Sequence, residues 1–573
     1  MNLLEDQWIP VKTRQGEEKF IAAYEIVQAD IISLNAPRAD FNAALIQFLI
    51  GLIQTVYAPD DEVNWEDLYE EPPTESQLKE SFEKIKEAFY LDGDGYRFMQ
   101  DNSIQQQDKL KPIEDIIFGA PGDSAKDKNK DHFVKQNDIN GLCLPCAALA
   151  IMTTNTFADN GGSGYFESMR GNGFVSTLVH LNTFDDFSLW RNIWINILTI
   201  DHFHKNKNLD KFFWMFSIPD DNTRRKELSE KIKFLDDEIK NTTDKEKIKE
   251  LKITQRSIQN SRKDITGIYQ ENANSLQVYW AWMRRLFLNI SDSNNEICSV
   301  CNTHNVAVKG VYKTNKGYNY PKSDWKHPFS PYKKAVSGDY EGKFLALEMT
   351  TKGLPYIYWS HFTEQNESQY PALVITKHFK NDLFKKEQLT IWSFGYAMDK
   401  NSTLGWYESK TPLYLIANID NKKLFESEVD KYIASSNKIT DSYLVNSIKF
   451  AWFDENKEKN KDKKIAFSND KATEISKSFW NNTESKFYEL LEKLYHLVEQ
   501  DELNDEKKIN LRQEWYQHIK QATIDLFNYW AFKSSIQTNP KRISLAYNNL
   551  MKNLNSNALK HETLGLPQEN KDE

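Results

Sequence analysis

The four cysteines of the chain stand in two Cys-x-x-Cys pairs, Cys143 with Cys146 and Cys298 with Cys301. Two residues between thiolates let one turn direct both sulfurs at a single tetrahedral ion, so two such pairs complete a four-sulfur shell. A shell with four protein ligands has no position open to water, and the pattern therefore predicts a structural zinc ion. A redox-active dithiol and a set of unligated thiols are the alternative interpretations of the same residues.

Each cysteine pair is followed by a segment of unusual composition. Five of the chain's 21 glycines fall within residues 161–173, and three of them lie in Asn160-Gly-Gly-Ser-Gly-Tyr165, here called the glycine segment (residues 160–165). Glycine has no Cβ, so the backbone there can approach a ligand closely, although an ordinary structural loop would have the same composition. The spacing matches neither the Walker phosphate loop nor the dinucleotide fingerprint.

The second segment, here called the lysine segment (residues 309–334), holds seven lysines against the single acid Asp324, with tyrosines and Trp325 between them. In a chain whose formal net charge is -10, this is a local reversal of charge. Lysines mixed with aromatic side chains are what a phosphate backbone and base edges attract, while a solvated loop is the alternative. A zinc ion that joined the two cysteine pairs would bring both segments to one side of the molecule, which favours a nucleic-acid site.

The histidines point to no catalytic metal centre. None of the 11 histidines forms an HExxH motif, an HD pair or another arrangement typical of metal-dependent nucleases. His202 and His204 lie beside Asp201 in an apolar run and could bind a metal, but histidines in cores and at helix ends are commoner. The sequence therefore indicates binding more than catalysis.

The elements that must position these segments alternate irregularly between helix and strand over residues 1–408, which predicts an α+β domain. The run 41–58 is apolar apart from three amide side chains, so a buried helix fits it better than a membrane span. Strands are predicted at two places within 342–359 around Gly353, and at 370–379 and 389–398; apolar runs predict helices at 189–203 and 276–290.

Two further parts of the chain have a helical period. Residues 222–262 carry many charges around a thin apolar line, which predicts an exposed antiparallel helical hairpin that is either a solvated projection or a partner surface. Apolar residues spaced by three and four predict an antiparallel helical bundle over 411–558. Its predicted helices span 422–437, 441–455, 471–500, 505–533 and 541–554, and a polar, frayed tail is expected over 559–573.

Length and composition set broader limits. A chain of 573 residues should fold as two or three domains. An aromatic content of 13% supplies cores and excludes general disorder, and the negative net charge excludes a uniformly basic, histone-like protein. The N-terminus has no secretory signal pattern, so a cytoplasmic protein without a membrane span is expected.

Several stretches together resemble a known family. NLLEDQWIPV at the N-terminus, FYLDGDGYRFMQ, the two cysteine pairs, ESMRGNG, WKHPFSP and SFGYAMDK occur in this order. The chain thereby resembles the large subunit of type I-E Cascade, the CasA family of CRISPR effector proteins, over nearly its whole length. Each stretch is weak alone, but their combination is specific.

The resemblance implies a subunit of an RNA-guided complex that reads the protospacer-adjacent motif of double-stranded DNA and helps open the duplex for R-loop formation. It also implies partners: the other Cascade subunits, CRISPR RNA, target DNA and a separate helicase-nuclease. Target sequence would be read by guide pairing, as in another CRISPR effector. The residues that match the family's DNA-contacting elements are Gly161, Gly162, Ser163 and Gly164 of the glycine segment, Lys316 as a minor-groove lysine, and Asp399, Lys400 and Asn401 as a wedge at a hairpin tip; Lys313 is a further candidate DNA contact.

Two other functions use the same features. A zinc-stabilised nucleic-acid-processing enzyme would need a cluster of acids or histidines at an open metal, which the sequence does not point to. An RNA-bound scaffold without motif reading would bind duplex DNA only according to guide complementarity. A non-enzymatic DNA-recognition subunit is the leading hypothesis.

Overall fold

The computed structural model describes most of the chain. The described residues are 1–104, 110–120, 134–135, 138–159, 165–182, 187–203, 212–215, 221–261, 275–314, 317, 320, 325–380, 389–399, 402–453, 469–532 and 539–568.

The region before residue 414 is a mixed α+β arrangement, as predicted. Its strands are β1 (Ile9–Thr13), β2 (Glu18–Ile21), β3 (Ile31–Leu34), β4 (Leu110–Pro112), β5 (Ser176–Leu181), β6 (Leu286–Ile297), β7 (His304–Lys313), β8 (Tyr332–Lys334), β9 (Phe344–Ala346), β10 (Gln369–Tyr370), β11 (Leu389–Asp399) and β12 (Ser402–Leu413). Among the described residues they form three-stranded antiparallel sheets with the orders β2-β1-β3, β4-β7-β6, β5-β11-β12 and β10-β8-β9.

The helices of this region are α1 (Ala39–Val56), α2 (Glu62–Glu70), α3 (Glu75–Glu83), α4 (Leu144–Thr156), α5 (Leu189–Trp194), α6 (Asp221–Asn241), α7 (Lys245–Ser261), α8 (Trp359–Thr363) and α9 (Leu373–Thr376). Seven of them pack among the sheets around one hydrophobic core, which contains no described residue of α6 or α7.

Helix α1 is the buried helix that the sequence predicts. By length and composition it alone, among the described helices, could cross a membrane, but 83% of it is buried inside the protein. Its amides are satisfied there: Gln54 donates to the carbonyl of Leu198 at 2.8 Å and accepts from the Leu198 N–H at 2.8 Å. Such pairing removes the cost of burying an amide, and α1 is therefore a core helix.

The charged hairpin predicted at 222–262 is confirmed as the helix pair α6 and α7. A thin line that includes Leu228 and Leu235 is buried, while Phe234 and Ile253 stay exposed. Gln255 bonds Asp236 across the pair, as expected for antiparallel neighbours.

The region after residue 418 is helical, as predicted. Helix α10 (Ile419–Lys438) continues through a π-helical turn, Ile439–Leu444, into α11 (Val445–Trp452); α12 (Asn469–Glu499), α13 (Asp505–Ala531) and α14 (Pro540–Leu554) follow. Asn504 caps α13 by accepting from the Lys507 N–H at 2.9 Å. The short connection 500–504 makes α12 and α13 antiparallel neighbours, with Lys486 bonded to Glu514 at 2.5 Å.

Two side chains of the α+β region belong to the core of this bundle. Tyr356 and Trp359 are 1% and 2% exposed and pack with residues of α10, α12 and α13. The Tyr356 hydroxyl lies 3.0 Å from both Ser436 Oγ and Thr483 Oγ1. The bundle core therefore includes residues on both sides of the predicted division near 408–411, and the domain boundaries themselves stay a prediction.

Four predicted elements differ in the structure. Residues 276–290 were expected to be one helix, but a 3-10 turn, Leu276–Trp280, leads into β6. Residues 370–379 are predicted to be a strand, but β10 ends at Tyr370 and helix α9 follows Pro371.

The other two elements are shorter or of another type than predicted. Within 342–359 the first predicted strand forms as β9, and the second is a 3-10 turn, Tyr356–Tyr358. The helix predicted over 189–203 ends as α5 at Trp194. Apolar runs without clear alternation are compatible with both the helical and the strand period, and packing in the folded protein decides between them.

The expected frayed tail is wrong for residues 559–566. A π-helical turn, Ala558–Thr563, follows α14. Leu559 and Leu564 are fully buried in the bundle core, and Leu566 is 5% exposed. Three leucines, together with the hydrogen bond from Arg512 to the Gly565 carbonyl, attach this otherwise polar stretch to the bundle.

Glu364, just after α8, is a buried carboxyl at the contact with the bundle. It is 7% exposed, and its Oε1 has no hydrogen-bond partner among the described residues. Burial, reinforced by Asp430 and Glu426 on α10, raises the pKa of Glu364 to about 8. At neutral pH this side chain is therefore mostly protonated.

We expect Glu364→Gln to stabilise the protein at pH 7 and to flatten its pH dependence. The folded pKa of Glu364 lies above the unfolded value of about 4.3. The contribution of this group to the free energy of unfolding is therefore fully present below pH 4, and it is lost by about 1.4 kcal/mol per pH unit as the pH rises toward 8. Glutamine removes this loss. Denaturant unfolding of both proteins at pH 5, 6, 7 and 8 measures it, and parallel curves would contradict the raised pKa.

Candidate nucleic-acid interface and its cysteine cluster

The four cysteines meet at one point. Cys143 occupies the N-cap of α4 and Cys146 lies in its first turn, while Cys298 and Cys301 lie in the turn between β6 and β7. The four Sγ atoms lie within 4.8 Å of one another, and those of Cys143 and Cys301 are 3.7 Å apart. None is disulfide-bonded. The sequence prediction that the two pairs converge is confirmed.

Backbone contacts hold the two pairs together independently of the sulfurs. Ser299 Oγ accepts from the Asn140 N–H at 3.0 Å, and the Ser299 N–H donates to the Gly141 carbonyl at 3.0 Å. A Cβ at Gly141 would lie 2.5 Å from Val306 Cγ1, so only glycine lets the chain pass this close to β7. The start of α4 is therefore fixed against the β6–β7 turn.

The donor set fits a zinc ion. Hydrogen bonds from Cys143 and then Cys146 lower the pKa of the Cys301 thiol to about 6, whereas the interaction with Cys143 raises the pKa of Cys146. Four adjacent sulfurs cannot all be thiolates unless a cation compensates them. A zinc tetrathiolate with bonds of about 2.3 Å has sulfur–sulfur edges of about 3.8 Å, close to the separation of Cys143 and Cys301.

Helix α4 connects this cluster to the glycine segment. Its 13 residues span about 20 Å. Beyond its C-terminus, the Phe157 ring packs against Tyr396 of β11 and Trp406 of β12, with centroids 5.8 and 5.3 Å away. Phe157 thus holds the chain beside the β11–β12 hairpin three residues before the glycine segment begins.

The predicted DNA contacts lie mostly outside the described residues. Of the glycine segment, Tyr165 is described, and of the predicted lysine contacts, Lys313 at the end of β7. Lys313 Nζ lies 5.6 Å from the centre of the Tyr165 ring and 2.8 Å from Asp115 Oδ2. The glycine and lysine segments therefore do meet at these two residues, although the charge of Lys313 is partly compensated. The predicted contacts outside the described residues are Gly161, Gly162, Ser163, Gly164, Lys316, Lys400 and Asn401.

The hairpin that carries the predicted wedge is paired up to its last described residues. β11 and β12 pair from Leu389 opposite Leu413 to Asp399 opposite Ser402, with a register shift between Ala397 and Met398. Lys400 and Asn401 are the two residues between the strands in the sequence. Asp399 is exposed. Gly173 packs against the hairpin with a φ of +66°, and a Cβ there would lie 2.8 Å from the Tyr396 carbonyl oxygen. The ESMRGNG stretch thus ends against β11, close to the tip.

Two residues of this region were not predicted as part of the site. Asp115 pairs with Lys313, and Arg284 bonds Asp159 and Phe166 on either side of the glycine segment. Arg284 stood within a predicted helix, and Asp115 in a stretch with no distinguishing pattern. No feature of their sequence surroundings would have identified them.

The other candidate metal residues have a simpler explanation. His202 Nδ1 lies 3.0 Å from Thr199 Oγ1 and 3.4 Å from Asp201 Oδ1 in a short 3-10 turn, and His204 lies outside the described residues. In the described part of the chain, the four cysteines are the only group of three or more His, Cys, Asp or Glu side chains arranged to hold one ion.

Comparisons with known proteins agree with the resemblance seen in the sequence. The family model described as CRISPR-associated protein Cse1 matches residues 2–526. The fold is similar to that of Thermus thermophilus CasA (Cse1), with a TM-score of 0.65 and 12% identity over 97% of this chain and 99% of that one. Thermobifida fusca Cse1 has a TM-score of 0.64 and 12% identity over 99% of both chains.

A chain from a CRISPR RNA-guided surveillance complex is also similar, with a TM-score of 0.61 and 11% identity over 97% of this chain and 99% of that one. At such identities the solved structures establish the fold, whereas the family model spans most of the sequence. The protein therefore belongs to the CRISPR-associated Cse1 family.

Proposed function

We propose that this protein is the large subunit of an RNA-guided CRISPR surveillance complex, in which it recognises the protospacer-adjacent motif of double-stranded DNA and helps open the duplex. Its membership of the Cse1 family and its likeness to a chain of a surveillance complex support this assignment. The other subunits, CRISPR RNA and target DNA are its proposed partners, in the cytoplasm. It is proposed to be no enzyme and to recruit a separate helicase-nuclease.

The observation that carries the proposal is the contact between the glycine and lysine segments, which Tyr165 and Lys313 make. Phe157, three residues before the glycine segment, packs against Tyr396 of the hairpin whose first strand ends at Asp399. A minor groove about 6 Å wide admits a lysine side chain and a glycine backbone from adjacent segments. The tip of the β11–β12 hairpin is proposed to separate the first base pair, at a cost of a few kcal/mol.

The cysteine cluster is proposed to hold one structural zinc ion through Cys143, Cys146, Cys298 and Cys301. Bound there, zinc would supply no reaction chemistry, because four protein ligands fill its coordination shell. It would fix the turn before the lysine segment to the start of α4.

Motif reading is tested by measuring how the complex, assembled with its guide RNA, binds duplexes that share one target and differ only in the flanking bases. We expect affinities that depend on the flank. Lys316→Ala should weaken binding to a favoured flank more than to a disfavoured one, since a minor-groove contact discriminates whereas a phosphate contact weakens both equally. A flat profile for the wild-type complex would contradict motif reading and favour an RNA-bound scaffold.

A further inference from the structure

One buried arginine bonds the residues on both sides of the glycine segment. Arg284 Nη1 donates to the carbonyl of Phe166 at 2.7 Å, just after the segment. Its Nη2 donates to the backbone carbonyl of Asp159, just before the segment, and lies 3.1 Å from the carboxylate Oδ1 of the same residue. The guanidinium also faces the Tyr165 ring, 5.1 Å from its centre.

The chemistry of this contact requires arginine. The guanidinium is planar, always charged and carries donors on both sides, so one group can bond two separate chain positions at once. Arg284 is 7% exposed, and hydrogen bonds from a charged donor in such an environment are stronger than those at the surface. Asp159 supplies the compensating negative charge.

Arg284 is itself held by α4. The side-chain oxygen of Asn155 accepts from the backbone N–H groups of Met283 and Arg284, at 2.8 and 3.0 Å. Asn155 is fully buried and lies in the last turn of the helix that begins at Cys143. The backbone of Arg284 is therefore held by the same helix that precedes the glycine segment.

We infer that Arg284 is a positioning residue that holds Asp159 and Phe166, the residues on either side of the glycine segment, at a fixed separation, so that the backbone of the segment meets the flanking duplex in one geometry. This inference rests on the proposed function. Arg284 contacts no DNA in this arrangement. It acts by removing conformational freedom from the ends of a glycine-rich stretch, freedom that DNA binding would otherwise have to remove.

The experiment compares three variants in the assembled complex. Arg284→Met removes the charge and all hydrogen-bond donors. Arg284→Lys keeps the charge but loses the planar guanidinium that bonds two chain positions at once. Arg285→Met is the matched control, because Arg285 pairs with Asp101 at 2.6 Å and no bond joins it to Asp159 or Phe166. Hydrogen exchange of the peptide covering residues 157–168 and the affinity ratio between a favoured and a disfavoured flank are measured, together with the melting temperature.

For Arg284→Met we expect exchange in that peptide to rise about tenfold and the affinity ratio to fall by a similar factor, as for the loss of one or two charge-assisted bonds. Arg284→Lys should show smaller changes in both and remains informative if the methionine variant is insoluble. Arg285→Met should lower the melting temperature without changing either measurement.

Unchanged exchange in both Arg284 variants would overturn the inference whatever the DNA result. Equal flank discrimination by wild type and both variants would overturn it while leaving motif reading intact. A wild-type complex without flank preference would overturn motif reading, and the inference with it.

Discussion

Cys298→Ser should yield a protein without bound zinc and largely without soluble product. Cys298 is fully buried in the turn between β6 and β7, so serine would leave a three-sulfur shell. Binding of structural zinc contributes about 10 kcal/mol or more to the folding of small zinc sites, which exceeds the whole stability of many domains. The effect should therefore appear in folding before it appears in DNA binding.

The measurement is metal content per chain and soluble yield, with Ser299→Ala as the control. Ser299 Oγ accepts from Asn140 but provides no sulfur, so its loss should cost about 1–2 kcal/mol and leave one zinc per chain. A metal-free wild-type protein, or a Cys298→Ser protein of normal stability, would show that the cysteines form no folding-coupled zinc site.

Arg512→Met should destabilise the helical bundle by about 3–5 kcal/mol, because it leaves a carboxylate buried without its main partner. Arg512 binds Glu428 through two bonds of 2.7 and 2.5 Å, and Glu428 is 2% exposed. Burial opposes the charge of Glu428, but hydrogen bonds from Arg512 and Lys431 lower its pKa overall. The same guanidinium donates to the Gly565 carbonyl at 2.8 Å.

Denaturant unfolding at pH 7 measures this loss, and the double variant Arg512→Met with Glu428→Gln should recover part of it by removing the uncompensated charge. Lys507→Met is the matched control on the same helix: its pair with Glu502 is largely solvent-exposed, so the change should be below about 1 kcal/mol. Equal losses in Arg512→Met and Lys507→Met would mean that burial of Glu428 has no energetic consequence.

The elements that could be predicted from the sequence are those with a single strong period. The bundle helices and the α6–α7 pair have apolar residues at spacings of three and four with polar faces opposite. This spacing places the apolar residues on one face of a helix, whereas a strand would distribute them over both faces. Strand β11 is bounded by a charged turn and pairs along its whole length. The wrong predictions fell in largely apolar runs without a clear period, such as 276–290 and 370–379, in which Trp280 and Val374 are buried in the core.

The candidate site shows the same division. The spacing of two residues within each cysteine pair is itself typical of a metal site, so the four-sulfur shell could be predicted from the four cysteines alone. Arg284 and Asp115 carry no such rule, because their roles depend on which distant backbone groups lie within reach. Their contacts with Phe166 and Lys313 join residues more than a hundred positions apart.

The packing of Leu559 and Leu564 into the bundle has a consequence for synthesis on the ribosome. The α+β core can fold while the chain is still being translated, since domains generally fold as units from the N-terminus. The bundle core lacks two fully buried leucines until residue 564 has left the exit tunnel. Until then, the apolar seam of α10 to α14 stays open to chaperones and to other nascent chains. A message truncated shortly after the codon for Leu554 should therefore direct synthesis of an aggregation-prone protein, although every helix of the bundle is encoded.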